Sequence, residues 1–208
     1  MTQFIERPIY HITGIGNLPS IIGEGALRCD THRLAGKFEA ENIGYNHIKE
    51  RRQRRQVRVA AKGVLADYVP FYFCPRSVML YTIQKGNVAE CERKQEDIVH
   101  LRSTIKLAVG SGRKWAFTNR HAEPPEADYF DKAADLDKLN WEIIDSDTWG
   151  GDDRRPFKQA EFLVHGRFEW KWIDGIGVFD STRRALVEAA LASANHQPVV
   201  QVKRNWYY

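Results

Sequence analysis

The sequence lacks the features of several common protein classes. It contains three cysteines, Cys29, Cys74 and Cys91, without a CxxC pair among its 208 residues. This odd number argues against both a disulfide framework and a zinc site, so we expect a reducing compartment, the cytoplasm. No apolar run reaches the roughly 20 residues of a spanning helix, and we expect no membrane association. The opening MTQFIERPIYHI also lacks the order of a signal peptide.

Familiar cofactor and metal motifs are also absent. There is no GxGxxG dinucleotide fingerprint, no GxxxxGK[ST] phosphate loop and no HExxH pair. The seven histidines are scattered without the spacing of metal ligands. These absences argue against a Rossmann-type site and a metal-dependent mechanism, and we expect no bound metal.

Positive charge is concentrated in one segment. The net charge is only +4, but residues 48–62, IKERRQRRQVRVAAK, carry seven Lys and Arg against one Glu. A helix within residues 44–57 would place Arg51, Arg54, Arg55 and Arg58 on one face. Such a block indicates a polyanionic partner. A solvated helix face explains the charge equally well.

Short apolar segments alternate irregularly with polar ones. Strands are predicted at residues 8–12, 63–73, 97–103, 114–120, 158–166, 173–180 and 199–208, and helices at 76–83, 104–110 and 183–194. Residues 28–61 and 119–157 are predicted to be long connections, the second with an acidic helix at 127–141. This irregular order favours one α+β domain over residues 1–208.

Two local patterns contain residues that suit chemistry. In YHIT, residues 10–13, His11 and Thr13 would share one side of a strand, although a lone strand histidine is more often a core residue. Glu161 lies in the apolar strand KQAEFLVHG, where a carboxylate is costly unless it is paired or used. A salt bridge to Lys158 or to a loop arginine and a catalytic role fit this local pattern equally well.

Five segments together resemble one family. They are YHIT, HIKERR, DYVPFYFCPRSVMLY, KQAEFLV and the final WYY. In this order they resemble the DarT toxins, bacterial DNA ADP-ribosyltransferases encoded beside a macrodomain antitoxin, and the resemblance extends over residues 8–208. It implies an ADP-ribosyltransferase fold in which two small antiparallel sheets, with peripheral helices, form a cleft for NAD. It also implies transfer of ADP-ribose from NAD to a thymine base in single-stranded DNA.

The resemblance also implies roles for individual residues. Glu161 would be the catalytic glutamate and Arg51 the catalytic arginine. The residues expected at NAD are His11, Ile12, Thr13, Asn17, Tyr72 and Arg51. Those expected at DNA are Tyr45, His47, Arg52, Arg54, Arg55, Arg58, Arg76 and Arg154. The implied partners are single-stranded DNA and a macrodomain antitoxin, and we expect a monomer.

The chemistry of these residues fits the implied reaction. Cleavage of the nicotinamide–ribose bond leaves positive charge at C1′, which a fixed carboxylate such as Glu161 stabilises. The acceptor nitrogen of thymine lies on its pairing edge, so the base must be unpaired. Because a guanidinium stays protonated, we expect Arg51 to stabilise the developing anion or the NAD phosphates. The thymine proton would pass to Glu161 or to solvent.

Two alternatives to this function remain. One is an enzyme of the same fold that acts on RNA or protein. The other is a non-catalytic nucleic-acid-binding protein that uses only the basic block. A carboxylate in a strand near His11 favours the enzyme, since a binding module has no need of it.

Overall fold

The computed structural model describes residues 3–36, 41–88, 91, 93–151 and 153–208. Their strands are β1 (Pro8–Gly14), β2 (Ala26–Arg28), β3 (Tyr68–Tyr72), β4 (Ile98–Thr104), β5 (Trp115–Thr118), β6 (Tyr129–Phe130), β7 (Glu161–His165), β8 (Arg167–Glu169), β9 (Gly175–Val178) and β10 (Val199–Val202). Eight of them form one sheet in the order β10-β9-β4-β1-β3-β7-β5-β6, and β2 pairs with β8 in a second sheet. Neighbouring strands are antiparallel except β9 and β10, which are parallel.

The helices cover the sheet and its ends. They are α1 (Leu18–Gly23), α2 (Asp30–Ala35), α3 (Asn46–Arg52), α4 (Val78–Gln84), α5 (Ile105–Gly110), α6 (Trp141–Asp145), α7 (Arg155–Lys158) and α8 (Ser181–Leu191). Polar side chains cap several of them: Ser77 accepts from the Leu80 amide at α4, and Asp180 from the Arg183 amide at α8. None of the helices in the described ranges has the length and apolar character needed to cross a membrane.

The large sheet is almost divided between β1 and β3. β1 pairs with β4 along its whole length, from Pro8 to Gly14, but meets β3 only at Tyr10 and Tyr72. Pro70 explains the weak seam, because it has no N–H to donate across to β1. Its carbonyl oxygen instead lies 2.8 Å from His11 Nδ1. A cleft opens where the two halves separate.

This architecture confirms the α+β class but corrects the expected arrangement of two small antiparallel sheets. The four strands on each side of the seam belong to one eight-stranded sheet. The Tyr10–Tyr72 pair joins the halves, and Tyr72 in turn pairs with Glu161 on β7. The small second sheet, β2 with β8, lies outside this arrangement.

The predicted helix over the basic block is shorter than expected. α3 ends at Arg52, and a β-bridge between Gln56 and Val64 then draws the chain into an extended path. Arg54, Arg55 and Arg58 therefore do not lie on one helical face with Arg51. The acidic segment 127–141 likewise forms β6, a 3-10 turn at Ala133–Lys138 and the start of α6 instead of one helix.

Candidate active site

Glu161 begins β7 and is almost fully buried, with 3% of its surface exposed. Its backbone N–H donates to Thr118 Oγ1 at 3.2 Å. Its carboxylate accepts three hydrogen bonds from two donors: Arg52 Nη1 lies 3.2 Å from Oε1 and 3.0 Å from Oε2, and the Ala122 amide lies 3.0 Å from Oε1. The carboxylate is therefore fixed in position by two other segments of the chain.

Arg52, the last residue of α3, is the charged partner of Glu161. Burial alone would lower the pKa of Arg52, but the charge and hydrogen bond of Glu161 outweigh it, so this pKa is raised. Its Nη2 atom is buried without a hydrogen-bond partner in the described part of the chain. A buried guanidinium N–H without a partner is costly, and it indicates a place for an acceptor on a bound molecule.

Glu161 and Arg52 lie beside a cavity of about 520 Å³ at the cleft between the sheet halves. Its wall comes from β1, α3, β3, α4 and the 121–124 segment. Tyr72, which pairs with Glu161 across the sheet, lines it too. Burial, with a further contribution from the Glu161 charge, raises the pKa of the Tyr72 hydroxyl. This phenol therefore stays protonated at neutral pH and can act as a donor.

His11 lines the same cavity in its neutral form. Burial lowers the pKa of His11, and its Nδ1 lies 2.8 Å from the Pro70 carbonyl oxygen. Because that carbonyl can only accept, Nδ1 carries the proton. Nε2 is then left as a hydrogen-bond acceptor.

Asn17 anchors the segment that begins at residue 41. Its Nδ2 donates to Thr13 Oγ1 and to the Glu41 carbonyl, each at 3.0 Å. Its Oδ1 accepts from the Glu41 amide at 2.7 Å. The amide of Asn17 thus connects β1 to the 41–45 segment of the cavity wall.

The segment 121–124 forms another part of the wall. Tyr129 Oη donates to the Ala122 carbonyl, and Arg55 Nη2 donates to the Pro124 carbonyl at 3.0 Å. Between them, Glu123 Oε1 lies 3.0 Å from Arg51 Nε. The same segment supplies the Ala122 amide to Glu161, so its contacts also position the buried carboxylate.

His121 lies on the other side of Ala122, with Nε2 3.9 Å from Glu161 Oε1. Burial lowers the pKa of His121, although the Glu161 charge raises it in part. The imidazole is therefore neutral at pH 7. Within the described residues, no group of three or more His, Cys, Asp or Glu side chains could hold a metal ion.

A family model described as "ssDNA thymidine ADP-ribosyltransferase, DarT" matches residues 10–208. The chain belongs to the DarT family. A DNA ADP-ribosyl transferase of Thermus aquaticus is 40% identical over 202 residues, covering 96% of this chain and 88% of that protein. One from Escherichia coli O127:H6 is 30% identical over 204 residues, covering 96% and 93%.

Solved DarT structures are similar as well. The DarT of Thermus sp. 2.9 in complex with ADP-ribosylated ssDNA superposes with a TM-score of 0.92, at 39% identity, covering 98% of this chain and 97% of that one. The same protein in complex with NAD⁺ gives a TM-score of 0.89 at 36% identity, with 98% of each chain covered. The resemblance to the DarT family inferred from sequence is confirmed.

The residues that the DarT resemblance assigned to NAD come together in the structure. His11, Ile12, Thr13, Asn17, Tyr72 and Arg51 all line the cavity, as does Glu161. The Arg51 side chain is 53% exposed. The carboxylate of Glu161 is paired with Arg52 instead, and Lys158 donates to the Ile144 and Ser146 carbonyls.

The residues assigned to DNA are not all on one surface. Arg52 is paired with Glu161 in the wall of the cavity and does not lie on the exposed surface, which corrects its expected place among the DNA contacts. Tyr45 and His47 line the cavity with their rings 5.0 Å apart. Arg54 and Arg58 are exposed, whereas Arg55 is held at Pro124. Arg76 pairs with Asp147 at 3.1 Å, and Arg154 lies 3.9 Å from Glu142.

Sequence reasoning missed the pairing of Arg52 with Glu161. It also missed His121, Ala122 and Glu123, which contact Glu161 or Arg51. HIKERR contained the signal for Arg52, as two adjacent arginines at the end of a short helix must point in different directions. HAEPP, residues 121–125, carries no recognisable pattern. Its role follows only from its contact with β7.

Proposed function

We infer that this chain is an NAD-dependent DNA ADP-ribosyltransferase that transfers ADP-ribose to a thymidine base in single-stranded DNA and releases nicotinamide. The family match over residues 10–208 and the relatives' complexes with NAD⁺ and ADP-ribosylated ssDNA support this conclusion. The single observation in this chain that carries it is the buried Glu161 carboxylate, held by three hydrogen bonds beside the cavity. The bond formed is glycosidic, at C1′ of the ribose.

Glu161 is proposed to orient the nicotinamide ribose and to stabilise positive charge at C1′. Its Oε1 already accepts from Arg52 and Ala122, whereas Oε2 accepts only from Arg52. Oε2 therefore keeps capacity for a ribose hydroxyl. Since the carboxylate is preorganised, it needs no rearrangement as the charge develops.

The cavity residues fit NAD as the co-substrate. The unpartnered Nη2 of Arg52 offers a buried donor, and the neutral His11 offers an acceptor at Nε2. We assign His11 and Thr13 to the nicotinamide and its ribose, with Ile12 and Tyr72 beside them. Asn17 would act on NAD through the Glu41 segment that it holds.

We assign the acceptor side of the cavity to Arg51, which is half-exposed and paired with Glu123. Its guanidinium would stabilise negative charge on the reacting base. Tyr45 and His47 offer rings on which bases can stack. Exposed Arg54 and Arg58 are the strongest candidates for phosphate contacts, and Arg55, Arg76 and Arg154 would add to them only by leaving their present partners.

We also propose that the enzyme acts as the toxin of a toxin–antitoxin pair, as one monomeric ADP-ribosyltransferase domain countered by a macrodomain antitoxin. The resemblance to the DarT toxins supports this biological role. Co-expression with a macrodomain hydrolase from the neighbouring reading frame should restore growth of cells that express the chain. Growth arrest that such a hydrolase fails to relieve would contradict the pairing.

The activity is tested by incubating the protein with NAD and oligonucleotides, followed by mass spectrometry. Thymidine-containing single-stranded DNA should gain one ADP-ribose, while the same sequence in a duplex or without thymidine should not. A protein or RNA acceptor modified in preference to DNA would favour an enzyme of the same fold with another substrate. Binding of DNA without any transfer would favour the non-catalytic alternative.

A further inference from the structure

We propose that Glu123 is a second catalytic carboxylate, the group that accepts the proton of the thymine ring nitrogen during transfer. This inference rests on the proposed function. It addresses a requirement that the other residues of the site leave unmet, because the acceptor nitrogen must lose its proton as it bonds to C1′.

Glu161 is poorly placed to take that proton. Its Oε1 is occupied by Arg52 and Ala122, and its Oε2 by Arg52 and, in the proposed complex, a ribose hydroxyl. Both oxygens of this carboxylate are therefore engaged by donors before a thymine N–H could approach. Glu161 therefore serves the donor half of the reaction.

Glu123 has the position that the acceptor half requires. It lines the cavity, its side chain is 17% exposed, and its Oε1 lies 3.0 Å from Arg51 Nε. Among the described residues, Arg51 is the one with which it forms an ion pair. Arg51 is half-exposed, in contrast to the buried Arg52, so Glu123 pairs with the arginine that a nucleic acid can reach.

The backbone around Glu123 is held on both sides. Ala122 donates its N–H to Glu161 at 3.0 Å and accepts from Tyr129, while the Pro124 carbonyl accepts from Arg55 at 3.0 Å. The backbone contact with Glu161 and the second carboxylate thus belong to adjacent residues, Ala122 and Glu123. The two carboxylates keep a fixed relation to each other, as general acid–base chemistry requires.

In the proposed step the thymine N3–C1′ bond forms as the C1′–N1 bond to nicotinamide breaks. The electron pair of the broken bond leaves with neutral nicotinamide. The N3 proton passes to the Glu123 carboxylate, which later releases it to solvent. Arg51 stabilises negative charge on the thymine oxygens while the proton is in transit. No oxidant, metal or further reactant is needed.

His121 is the competing base on the same segment. It is neutral because burial lowers its pKa, so it has the capacity to accept a proton. Its Nε2 lies 3.9 Å from Glu161 Oε1, however, so the ring is beside the carboxylate that is assigned to the ribose. Glu123, on Arg51, is on the acceptor side. The two assignments predict different variant behaviour.

The test compares Glu123→Gln with the wild-type enzyme in single-turnover transfer at saturating DNA. Glutamine keeps an oxygen for Arg51 but cannot take the proton, so the rate should fall by about 100-fold or more. NAD affinity, measured by titration, should stay within about 2-fold, because Glu123 contacts neither half of NAD in the proposed complex. His121→Gln, which removes the competing base on the same segment, is measured in parallel.

The decisive readout is an oligonucleotide with 5-fluorodeoxyuridine at the target position. Fluorine makes the ring N–H more acidic, so removal of the Glu123 carboxylate should slow transfer less. The ratio of the wild-type rate to the Glu123→Gln rate should be at least about 10-fold smaller with this oligonucleotide than with the thymidine oligonucleotide. The inference would be overturned if Glu123→Gln lost the same factor in rate on both oligonucleotides, or if it kept the wild-type rate on the thymidine oligonucleotide.

If His121→Gln, and not Glu123→Gln, showed the larger loss of rate with thymidine than with 5-fluorodeoxyuridine, that result would assign the proton to His121 and refute the role of Glu123. Wild-type enzyme that modifies neither oligonucleotide would refute the proposed function, and the inference with it. Efficient wild-type transfer combined with an unaffected Glu123→Gln variant would leave the function standing and remove Glu123 alone.

Discussion

Arg52 donates to both carboxylate oxygens of Glu161, at 3.2 and 3.0 Å, across a separation of 109 residues in sequence. Its neighbour Arg51 is half-exposed and pairs with Glu123. Two adjacent arginines at the end of one helix thus contact two different carboxylates. One arginine fixes the carboxylate that is proposed to act on the ribose, and the other, proposed to act on the acceptor base, is half-exposed.

Removal of the Glu161 carboxylate should abolish transfer and also lower stability. Glu161→Gln should lose at least about 100-fold in rate, because preorganised charge at C1′ is lost. Glu161→Ala should lower the free energy of unfolding by about 3–5 kcal/mol, since Arg52 is left buried without its partner. Urea denaturation of Glu161→Ala and of Arg52→Met/Glu161→Ala checks this. The double variant should recover stability but not activity, and an equally unstable double variant would contradict the argument.

Arg51→Ala should lose transfer even at saturating DNA, with only a modest loss of DNA affinity. The physical reason is that Arg51 is assigned to charge on the reacting base and not to a phosphate. Arg51→Lys should restore little, since lysine lacks the planar fork of the guanidinium. Single-turnover transfer over a range of DNA concentrations measures both effects. Full recovery of Arg51→Ala at high DNA would make Arg51 an ordinary phosphate contact.

His11→Ala should weaken NAD binding more than DNA binding. The imidazole contributes an acceptor at Nε2 only because Nδ1–H is held on the Pro70 carbonyl at 2.8 Å. Loss of one buried hydrogen bond and of this wall of the cavity should raise the dissociation constant for NAD by about 10-fold. Titrations with NAD and with a labelled oligonucleotide give the two affinities. Equal effects on both, or none, would return His11 to a role in the core.

The arginines of the basic block should differ in their effect on salt dependence. Arg54→Ala and Arg58→Ala should each weaken DNA binding across sequences and reduce the slope of log affinity against log salt by about one unit. Arg55→Ala should change this slope less and transfer more, because Arg55 holds the Pro124 carbonyl and thus the segment that supplies Ala122 to Glu161. Identical slopes and rates for the three variants would show a plain electrostatic surface.

Stability should fall as the pH decreases below about 6.5, the usual pKa of histidine in an unfolded chain. Burial lowers the pKa of His100 to about 4 in the folded protein, although its contact with the Pro75 carbonyl raises it in part. The unfolded chain therefore binds a proton first, and up to about 3 kcal/mol is lost between pH 6.5 and 4. Denaturant titrations of wild type and His100→Gln should give a shallower dependence for the variant. An unchanged dependence would contradict the assignment.

The sequence predicted those parts of the fold that depend on local pattern. β1, β3, β4, β5, β7 and β9 arise from apolar alternation, and α4, α5 and α8 from helical periodicity with capping residues. The three-residue strands β2 and β8 carry too few residues for any periodicity, and they form because they pair with each other. The end of α3 was predicted too late because the Gln56–Val64 bridge, a tertiary contact, stops the helix.

Local sequence pattern predicted only part of the active site. The cost of burying a carboxylate predicted that Glu161 must be paired or used, and it is paired. Local pattern could not identify the partner of Glu161, because Lys158 and several arginines carry the same charge and were all candidates. The role of the 121–124 segment depends on a backbone amide, which every residue possesses and which no residue type reveals.

The distance along the chain between Arg52 and Glu161 bears on how the protein acquires its activity. The contact between Arg52 and Glu161 closes a loop of 109 residues, which has a high entropic cost and slows folding. A short fragment of the chain cannot form this contact. A newly made chain would have no assembled catalytic centre until β7 has joined β3 and β5 in the sheet. In a refolding experiment, recovery of transfer should therefore coincide with global folding. An enzyme of the proposed toxic function should therefore remain inactive while its own chain is being synthesised.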